Sequence, residues 1–265
     1  SVDFTTSSSE ICLNDPVTLD FDFNQGGVAP FTINYTVNAV PQSNGPINNS
    51  GVTSIPVAST VAGNTTYIIT NISDSGGCVN QNVIISQSIT VNPLPDINLT
   101  VAPNPICVGE NAALLFSASN GTPPYTVEYL AGSIPIIENM PAAISNVVVS
   151  PTNTTTYTLS FVTDGNGCES NLTDNATLVV NELTIVSSQT NVSCFEGGDG
   201  TATVTPSGGT PGYTYLWDDP IIQTTQTATN LASGTYTCTI TDVHLCEIIV
   251  SFTITEPDEF TATLI

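Results

Sequence analysis

Tyr157-Thr158-Leu159-Ser160-Phe161-Val162-Thr163-Asp164-Gly165-Asn166-Gly167-Cys168 decides how this chain folds. Tyr157, Leu159 and Phe161 alternate with Thr158 and Ser160, the period of a half-buried strand. The strand then breaks at Asp-Gly-Asn-Gly, residues suited to a tight turn, and the turn ends on a cysteine. The same order occurs twice more, from Tyr67 through Asp74 to Cys78 and from Tyr236 through Asp242 to Cys246, with tyrosine-to-cysteine offsets of 11, 11 and 10 residues. A shared register of this kind marks three copies of one unit.

Further landmarks lie upstream of each copy. A cysteine opens each unit, in Cys12-Leu13-Asn14-Asp15, Cys107-Val108-Gly109-Glu110 and Cys194-Phe195-Glu196-Gly197. A turn and strand follow, ending on Tyr35, Tyr129 and Trp217, which lie 23, 22 and 23 residues after the opening cysteine. Leu19, Phe21 and Phe23 alternate with Thr18, Asp20 and Asp22, and no stretch sustains a helical period. Short strands separated by Gly, Pro and Asn turns predict an all-β chain of three tandem immunoglobulin-like β-sandwich domains in an elongated array. The expected boundaries are 1–95, 96–181 and 182–257, joined by short proline-bearing or acidic linkers. Residues 258–265 read as the start of a further repeat, because Phe260-Thr261-Ala262-Thr263-Leu264 is like the first strand of each unit.

Composition removes whole classes of function. The 265 residues include 23 acids, one histidine and no lysine or arginine, for a formal charge of −23. Only 9% of residues are charged, against about 25% of both signs in an average soluble protein. No cation is present to neutralise phosphates, so nucleic acid is excluded as a partner, as is attraction to anionic lipid. Lysine-dependent phosphate loops, Schiff bases and Lys–Asn crosslinks are excluded too. An apolar fraction of 40% nevertheless allows packed cores. No apolar run reaches membrane-span length, so direct membrane insertion is not expected, and the first residues carry no signal peptide. Seven widely spaced cysteines with almost no histidine favour structural disulfides over zinc, hence an extracellular location with the secretion signal outside this segment.

The third unit reads Val192-Ser193-Cys194-Phe195-Glu196-Gly197-Gly198-Asp199-Gly200-Thr201-Ala202, then Gly208-Gly209-Thr210-Pro211-Gly212-Tyr213-Thr214-Tyr215-Leu216-Trp217, and closes with Ile254-Thr255-Glu256-Pro257. It resembles the SprB repeat of giant gliding adhesins exported by type IX secretion, while units one and two are similar to PKD-like or Ig-like repeats. One departure is Val243-His244-Leu245-Cys246, where the family has a small, glycine-containing turn. The resemblance implies a non-enzymatic segment of a giant bacterial surface adhesin or filament, serving adhesion, gliding or capture of other cells. Its implied partners are neighbouring repeats, a homo-oligomeric filament and surface glycans. The alternative is a carbohydrate- or Ca2+-binding module of a secreted multidomain protein.

The site-level expectations follow. The repeated positions predict the disulfides Cys12–Cys78, Cys107–Cys168 and Cys194–Cys246, each closing one end of a sandwich, with Cys238 as a buried free thiol. His244 beside Asp242 could be imagined in a triad with Ser251 or Ser233, but no Gly-x-Ser-x-Gly elbow exists, so no catalytic residue is expected. The stretch from Asp164 to Glu169 is faintly like a calcium loop, and Asp20 with Asp22 and Asp218 with Asp219 form further acidic pairs. No complete Asp-x-Asp-x-Asp-Gly loop is present, so no metal site or cofactor is assigned. Phe31, Tyr125 and Tyr213, on the row with Tyr35, Tyr129 and Trp217, read as core rather than as sugar platforms.

Overall fold

The computed structural model describes residues 3–23, 27–48, 51–81 and 85–262, and every regular element among them is a strand. The first repeat supplies β1 (Asp3–Thr6), β2 (Glu10–Cys12), β3 (Val17–Asp22), β4 (Phe31–Val37), β5 (Val40–Ile47), β6 (Val52–Val57), β7 (Gly63–Asp74), β8 (Val79–Asn80) and β9 (Ser86–Asn92). The second supplies β10 (Asp96–Ala102), β11 (Ile106–Cys107), β12 (Ala112–Asn120), β13 (Tyr125–Ala131), β14 (Ile134–Met140), β15 (Ile144–Val149), β16 (Thr155–Thr163), β17 (Glu169–Asn171), β18 (Asn175–Leu178) and β19 (Val180–Asn181). The third supplies β20 (Leu183–Thr190), β21 (Gly200–Gly208), β22 (Thr214–Trp217), β23 (Thr227–Leu231), β24 (Gly234–Thr241) and β25 (Glu247–Ile254).

The three sequence repeats divide their strands alike, except that in the second a parallel pair, β11-β19, forms a small sheet of its own. One sheet has three strands, in the orders β1-β3-β6, β10-β12-β15 and β20-β21-β23. The other is built around the tyrosine-led strand: β2-β9-β7-β4-β5 with β8 on β7, β14-β13-β16-β17 with β18 on β16, and β22-β24-β25. The expected all-β, immunoglobulin-like sandwich is the architecture observed. By contacts the chain divides into two compact units, Ser1–Leu99 with Phe116–Ser145 and Thr158–Asp174, and Thr100–Leu115 with Asn146–Tyr157 and Asn175–Ile265.

In the first unit, Leu19, Phe21 and Phe23 of the β3 row are buried while Thr18, Asp20 and Asp22 stay partly exposed, so period-two alternation sets which face packs. Phe4 stacks on Phe21 and Phe23 on Phe31, with ring centroids 4.9 and 4.6 Å apart. Burying each such side chain contributes about 1.5–3 kcal/mol. In the second unit, Trp217 packs on Phe252 at 5.4 Å between centroids, in a core that includes Ala202, Val204, Cys238 and Ile240.

Phe161 was expected to point inward, but the structure buries Val162 instead and leaves Phe161 only partly covered. The first repeat shows the cause. The β4–β7 register runs Asn34↔Asn71 and then Tyr35↔Ile69, so Thr70 is an extra residue, a bulge that reverses which side chains face the core. Thr70 Oγ1 donates to the Asn34 carbonyl at 3.0 Å, and Ser160 Oγ at the matching place donates to the Glu128 carbonyl at 3.0 Å. In the third repeat β24 pairs with β22 and β25 without a register shift. The bulge is therefore the one residue by which the tyrosine-to-cysteine offset differs, 11, 11 and 10.

Downstream of β25, residues 255–262 form no strand and Phe260 is 92% exposed. Thr263 and Leu264, the end of the expected next strand, lie outside the described residues.

Candidate functional site: the cysteine turns

The closing turn has one geometry in all three repeats. The aspartate at the end of the tyrosine-led strand, its last residue in β7 and the next residue after β16 and β24, accepts the cysteine N–H four residues on through Oδ1, at 2.9 Å for Asp74–Cys78, Asp164–Cys168 and Asp242–Cys246. Its own N–H donates to that cysteine's carbonyl at 3.0, 2.9 and 3.0 Å. Its Oδ2 reaches across to the turn before the aromatic strand, accepting from the N–H of Val28, Thr122 and Thr210 at 3.1, 2.9 and 2.8 Å. One carboxylate thus ties two loops together.

A carboxylate that accepts several N–H groups is held in its charged form. The N–H of Cys78, then that of Val28, keep the Asp74 pKa below its ordinary value. At Asp242 burial favours the neutral acid, but the N–H groups of Thr210, Cys246 and His244 and the nearby imidazole outweigh it, and the pKa again lies below its ordinary value.

The residue before each Oδ2 donor is glycine: Gly27, Gly121 and Gly209. Gly121 has φ +82° and Gly209 φ +57°, and a Cβ there would stand 3.0 and 2.7 Å from Oδ2 of Asp164 and Asp242. Only glycine lets the backbone come this close. Within the turn itself Gly77 and Gly167 both have φ 80°, while the third repeat places Leu245 there at φ 66°. The departure at Val243-His244-Leu245 therefore leaves the turn intact but strained, since a left-handed leucine costs about 1–2 kcal/mol. Leu245 is 78% exposed, so it returns no core packing. Leu245→Gly is expected to stabilise the chain by about 0.5–1 kcal/mol, after the extra freedom of glycine in the unfolded state is deducted. A lowered denaturation midpoint would contradict this.

The opening turns form a second set. The residue three positions on donates its N–H to the cysteine carbonyl, from Asp15 to Cys12 at 3.0 Å, Glu110 to Cys107 at 3.1 Å and Gly197 to Cys194 at 2.9 Å. In the first two, the acid side chain accepts the cysteine N–H in return, at 3.1 Å (Asp15) and 2.9 Å (Glu110). These turns sit beside the last strand of their own repeat. Cys12 pairs in parallel with Asn92, and Cys107 with Asn181.

The structure joins the two sets across repeats, which corrects the expected pairing. Cys12 bonds Cys168 and Cys107 bonds Cys246, each with Cα atoms 5.4 Å apart, while Cys78 and Cys194 are exposed free thiols. The pairs Cys12–Cys78, Cys107–Cys168 and Cys194–Cys246 are not formed. In the first repeat Cys12 lies opposite Asn92, whose neighbour Val91 pairs with Gly63 at the start of β7, whereas Cys78 follows Asp74 at its end. A 12-residue strand separates those ends by roughly 35 Å, and a disulfide spans only about 4.4–6.8 Å between Cα atoms. In the third repeat Val192 bonds Thr255 beside the Gly234↔Ile254 start of β24, and Cys246 follows its far end.

What does lie near an opening turn is the closing turn of the next repeat. In the second unit Val108 N–H donates to the Asn181 carbonyl, Asn181 Nδ2 donates to Thr210 Oγ1, and Thr210 N–H donates to Asp242, which holds Cys246. In the first unit Pro95, just after β9, packs against Gly121, whose neighbour Thr122 donates to Asp164, which holds Cys168. Both cysteines of each bridge meet at the linker.

The remaining candidates fall into ordinary roles. Cys238 is fully buried and free, and burial pushes its thiol pKa up to about 11. His244 donates its N–H to Asp242 Oδ1, and its Nδ1 lies 2.8 Å from Thr210 Oγ1, so its side-chain partner is a threonine rather than Ser233 or Ser251. Both Asp164 oxygens accept backbone N–H groups, from Asn166 and Cys168 on one side and Thr122 on the other. That ring of donors is the wrong charge for the faint calcium loop read from the sequence. Among the described residues no three His, Cys, Asp or Glu side chains converge on a point. Asp218 accepts Thr237 N–H and Oγ1 at 2.7 Å each, and Asp219 is buried, accepting Gln223 N–H at 2.7 Å. Trp217, Tyr129, Tyr125 and Phe31 are buried, while Tyr35 and Tyr213 are half-buried against core.

No curated protein matches the chain. Among solved structures, the chain is similar to the fibronectin(III)-like modules of Clostridium thermocellum CbhA, at 12% identity over 68% of this chain and 94% of that one, with a TM-score of 0.32. It is also similar to the C-terminal 282-residue fragment of intimin in complex with the intimin-binding domain of the translocated intimin receptor, at 14% identity over 71% and 66%, TM-score 0.42. A third likeness is to the full Ig1–Ig3 ectodomain of mouse nectin-like molecule 4, at 11% identity over 96% and 99%, TM-score 0.39. Over residues 186–220, from within β20 through the Cys194 turn to just past β22, the chain is similar to the SprB repeat.

Proposed function

We propose that this chain is a non-enzymatic, load-bearing repeat segment of a giant extracellular bacterial adhesin or filament, of the kind used for surface adhesion, gliding or capture of cells. The observation that carries the reading is the pairing of each opening cysteine with the closing cysteine of the following repeat, made twice in the same register. Bridges at successive linkers suit a chain that must transmit tension through its modules. The SprB likeness at 186–220 and the two disulfides support an extracellular setting. Among the described residues no helix is long and apolar enough to cross a membrane.

Single-molecule pulling on the two ends tests the load-bearing reading. The bridges allow force to jump from Cys12 to Cys168, run back to Cys107 and jump to Cys246. Fully unfolded, the reduced chain extends to about 900 Å, the oxidised chain to about 300 Å, at about 3.4 Å per residue. Equal extension in the two redox states overturns the reading.

A further inference from the structure

We propose that the first repeat carries a binding site for a short, neutral oligosaccharide, in the cleft where the β4–β5 hairpin faces the end of β6. The cleft measures about 510 Å3, inside the range of about 300–1,000 Å3 that small-molecule sites occupy. It lies between the two sheets. Tyr35 and Val37 of β4, with Thr65 and Tyr67 of β7, line it on one side, and Val57 of β6 lines it on the other.

A gap in the packing of aromatic rings opens it. Tyr35 matches Tyr129 and Trp217, which are each 1% exposed, yet Tyr35 itself is only half-buried. Phe21 and Phe116 both lie nine residues after their opening cysteine. Phe116 packs on Tyr129 at 5.4 Å between centroids, whereas Phe21 stacks on Phe4, and the Tyr35 ring lines the cleft. The surrounding loops are pinned. Asn38, in the hairpin turn at φ 49°, donates its N–H to the Thr66 carbonyl and accepts the Thr66 N–H through Oδ1, at 2.9 Å each. After β6, the Ser59 carbonyl accepts the Asn14 N–H at 2.9 Å, and Ser59 Oγ donates to the Asp15 carbonyl at 2.6 Å. A cleft held in shape before binding saves its ligand the cost of ordering it.

The second observation is an unmet hydroxyl. Tyr67 is only 4% exposed and lines the cleft, and its hydroxyl has no hydrogen-bond partner among the described residues. Buried polar groups ordinarily have one. Tyr236, at the matching place in the third repeat, donates to the Ala232 carbonyl at 3.1 Å, and Tyr213 and Tyr125 donate likewise to Gly208 and Asn120. Burial, and then the neighbouring Tyr35 phenol, raise the Tyr67 pKa, so the group is a neutral hydroxyl able both to donate and to accept.

The lining sets the class of ligand. None of its residues is charged, although the chain carries 23 acids. No carboxylate there attracts a cation, and a chain without lysine or arginine has no strong partner for an anion. What the cleft offers is two phenols, the amides of Gln42 and Asn38 and the hydroxyls of Thr60 and Thr65, beside apolar surface from Val57 and Val61. A sugar ring matches that mixture: its hydroxyls meet the amides and phenols, and its C–H face lies on the Tyr35 ring. The site is independent of the load-bearing reading, since no cysteine lines the cleft.

The test runs the full oxidised chain by native electrophoresis through gels holding a neutral glucan, mannan, galactan or xylan, or acidic alginate. Oligosaccharides cut from any polymer that slows the chain are then titrated into it. At least one neutral polymer is expected to slow the wild type, and alginate is not. Tyr35→Ala is expected to abolish the retardation, and Tyr67→Phe and Gln42→Ala each to weaken oligosaccharide binding about fivefold, the worth of one hydrogen bond. Tyr67→Phe is also expected to keep or raise the melting temperature, because the hydroxyl it removes has no partner in the free chain. Gln42 is exposed, so that variant and Tyr67→Phe decide the matter even if Tyr35→Ala unfolds. Wild type slowed by no neutral polymer, or slowed as much by alginate, overturns the proposal. So does wild-type affinity in Tyr67→Phe and Gln42→Ala alike. Neither result bears on the pulling experiment, which reads the bridges alone.

Discussion

Peptide mapping of the oxidised chain without reductant is expected to return Cys12 linked to Cys168 and Cys107 linked to Cys246, and Cys12→Ser/Cys168→Ser is expected to cost about 4–5 kcal/mol of stability. The sequence separations are 156 and 139 residues. Closing loops of that length removes unfolded-state entropy worth about 5 kcal/mol each in the chain-entropy model. Because the bridge joins two repeats, unfolding either one alone still leaves a loop of tens of residues, so the loss falls on both. Against a typical 5–15 kcal/mol per domain, this is the largest single effect in the molecule. Fragments for mapping must come from an acid- or aromatic-specific protease, since the chain has no lysine or arginine for trypsin. Recovery of Cys12 with Cys78, or an unchanged denaturation midpoint in the double variant, would refute the assignment.

Removing the turn carboxylates is expected to be nearly as costly. Asp164→Ala strips three backbone N–H groups, those of Thr122, Asn166 and Cys168, of their acceptor, and Asp242→Ala does the same to Thr210, His244 and Cys246. Leaving such donors unsatisfied costs about 1–3 kcal/mol each, less where water can reach them, so a loss of about 3–5 kcal/mol is expected. Asparagine keeps one acceptor oxygen but turns an amide toward the remaining donor, and should lose about half as much. The pH dependence has a definite sign. The Asp74 and Asp242 pKa values are lowered by folding, so the folded chain binds fewer protons than the unfolded chain near pH 3–4. Their contribution is complete above the unfolded carboxylate value of about 4 and is lost as pH falls through the folded one. Denaturation at pH 7 and pH 3 checks this: the gap between wild type and Asp242→Asn should shrink in acid. A gap that widens would show that the carboxylate is not what holds the turn.

Much of this was legible in the residues, for identifiable reasons. Alternation at Leu19, Phe21 and Phe23 marks a buried face because a strand has only two faces. The Asp-x-x-x-Cys register marks the closing turn because one aspartate must reach its cysteine's N–H. The offset difference of one residue held the bulge, yet Phe161 was assigned by unbroken alternation, which a bulge defeats. The cysteine pairing was missed because spacing along the chain gives order, not which end of a strand a residue occupies. The structure supplies what the spacing lacks, the 12-residue length of β7, a strand whose two ends cannot be bridged to each other. The glycines at 27, 121 and 209 were also available, each one residue before the donor that meets the aspartate, but their partner lies more than 30 residues away in sequence.

The two bridges overlap, since Cys107 lies inside the loop closed by Cys12 and Cys168, and Cys168 inside the loop closed by Cys107 and Cys246. Three separate stretches of backbone therefore run between the same pair of sulfur junctions. A single broken peptide bond in any of them leaves the two termini covalently connected, and so do two breaks in different stretches. Only when all three are severed does the strand part, which gives this polymer a tolerance to damage that a linear string of domains lacks.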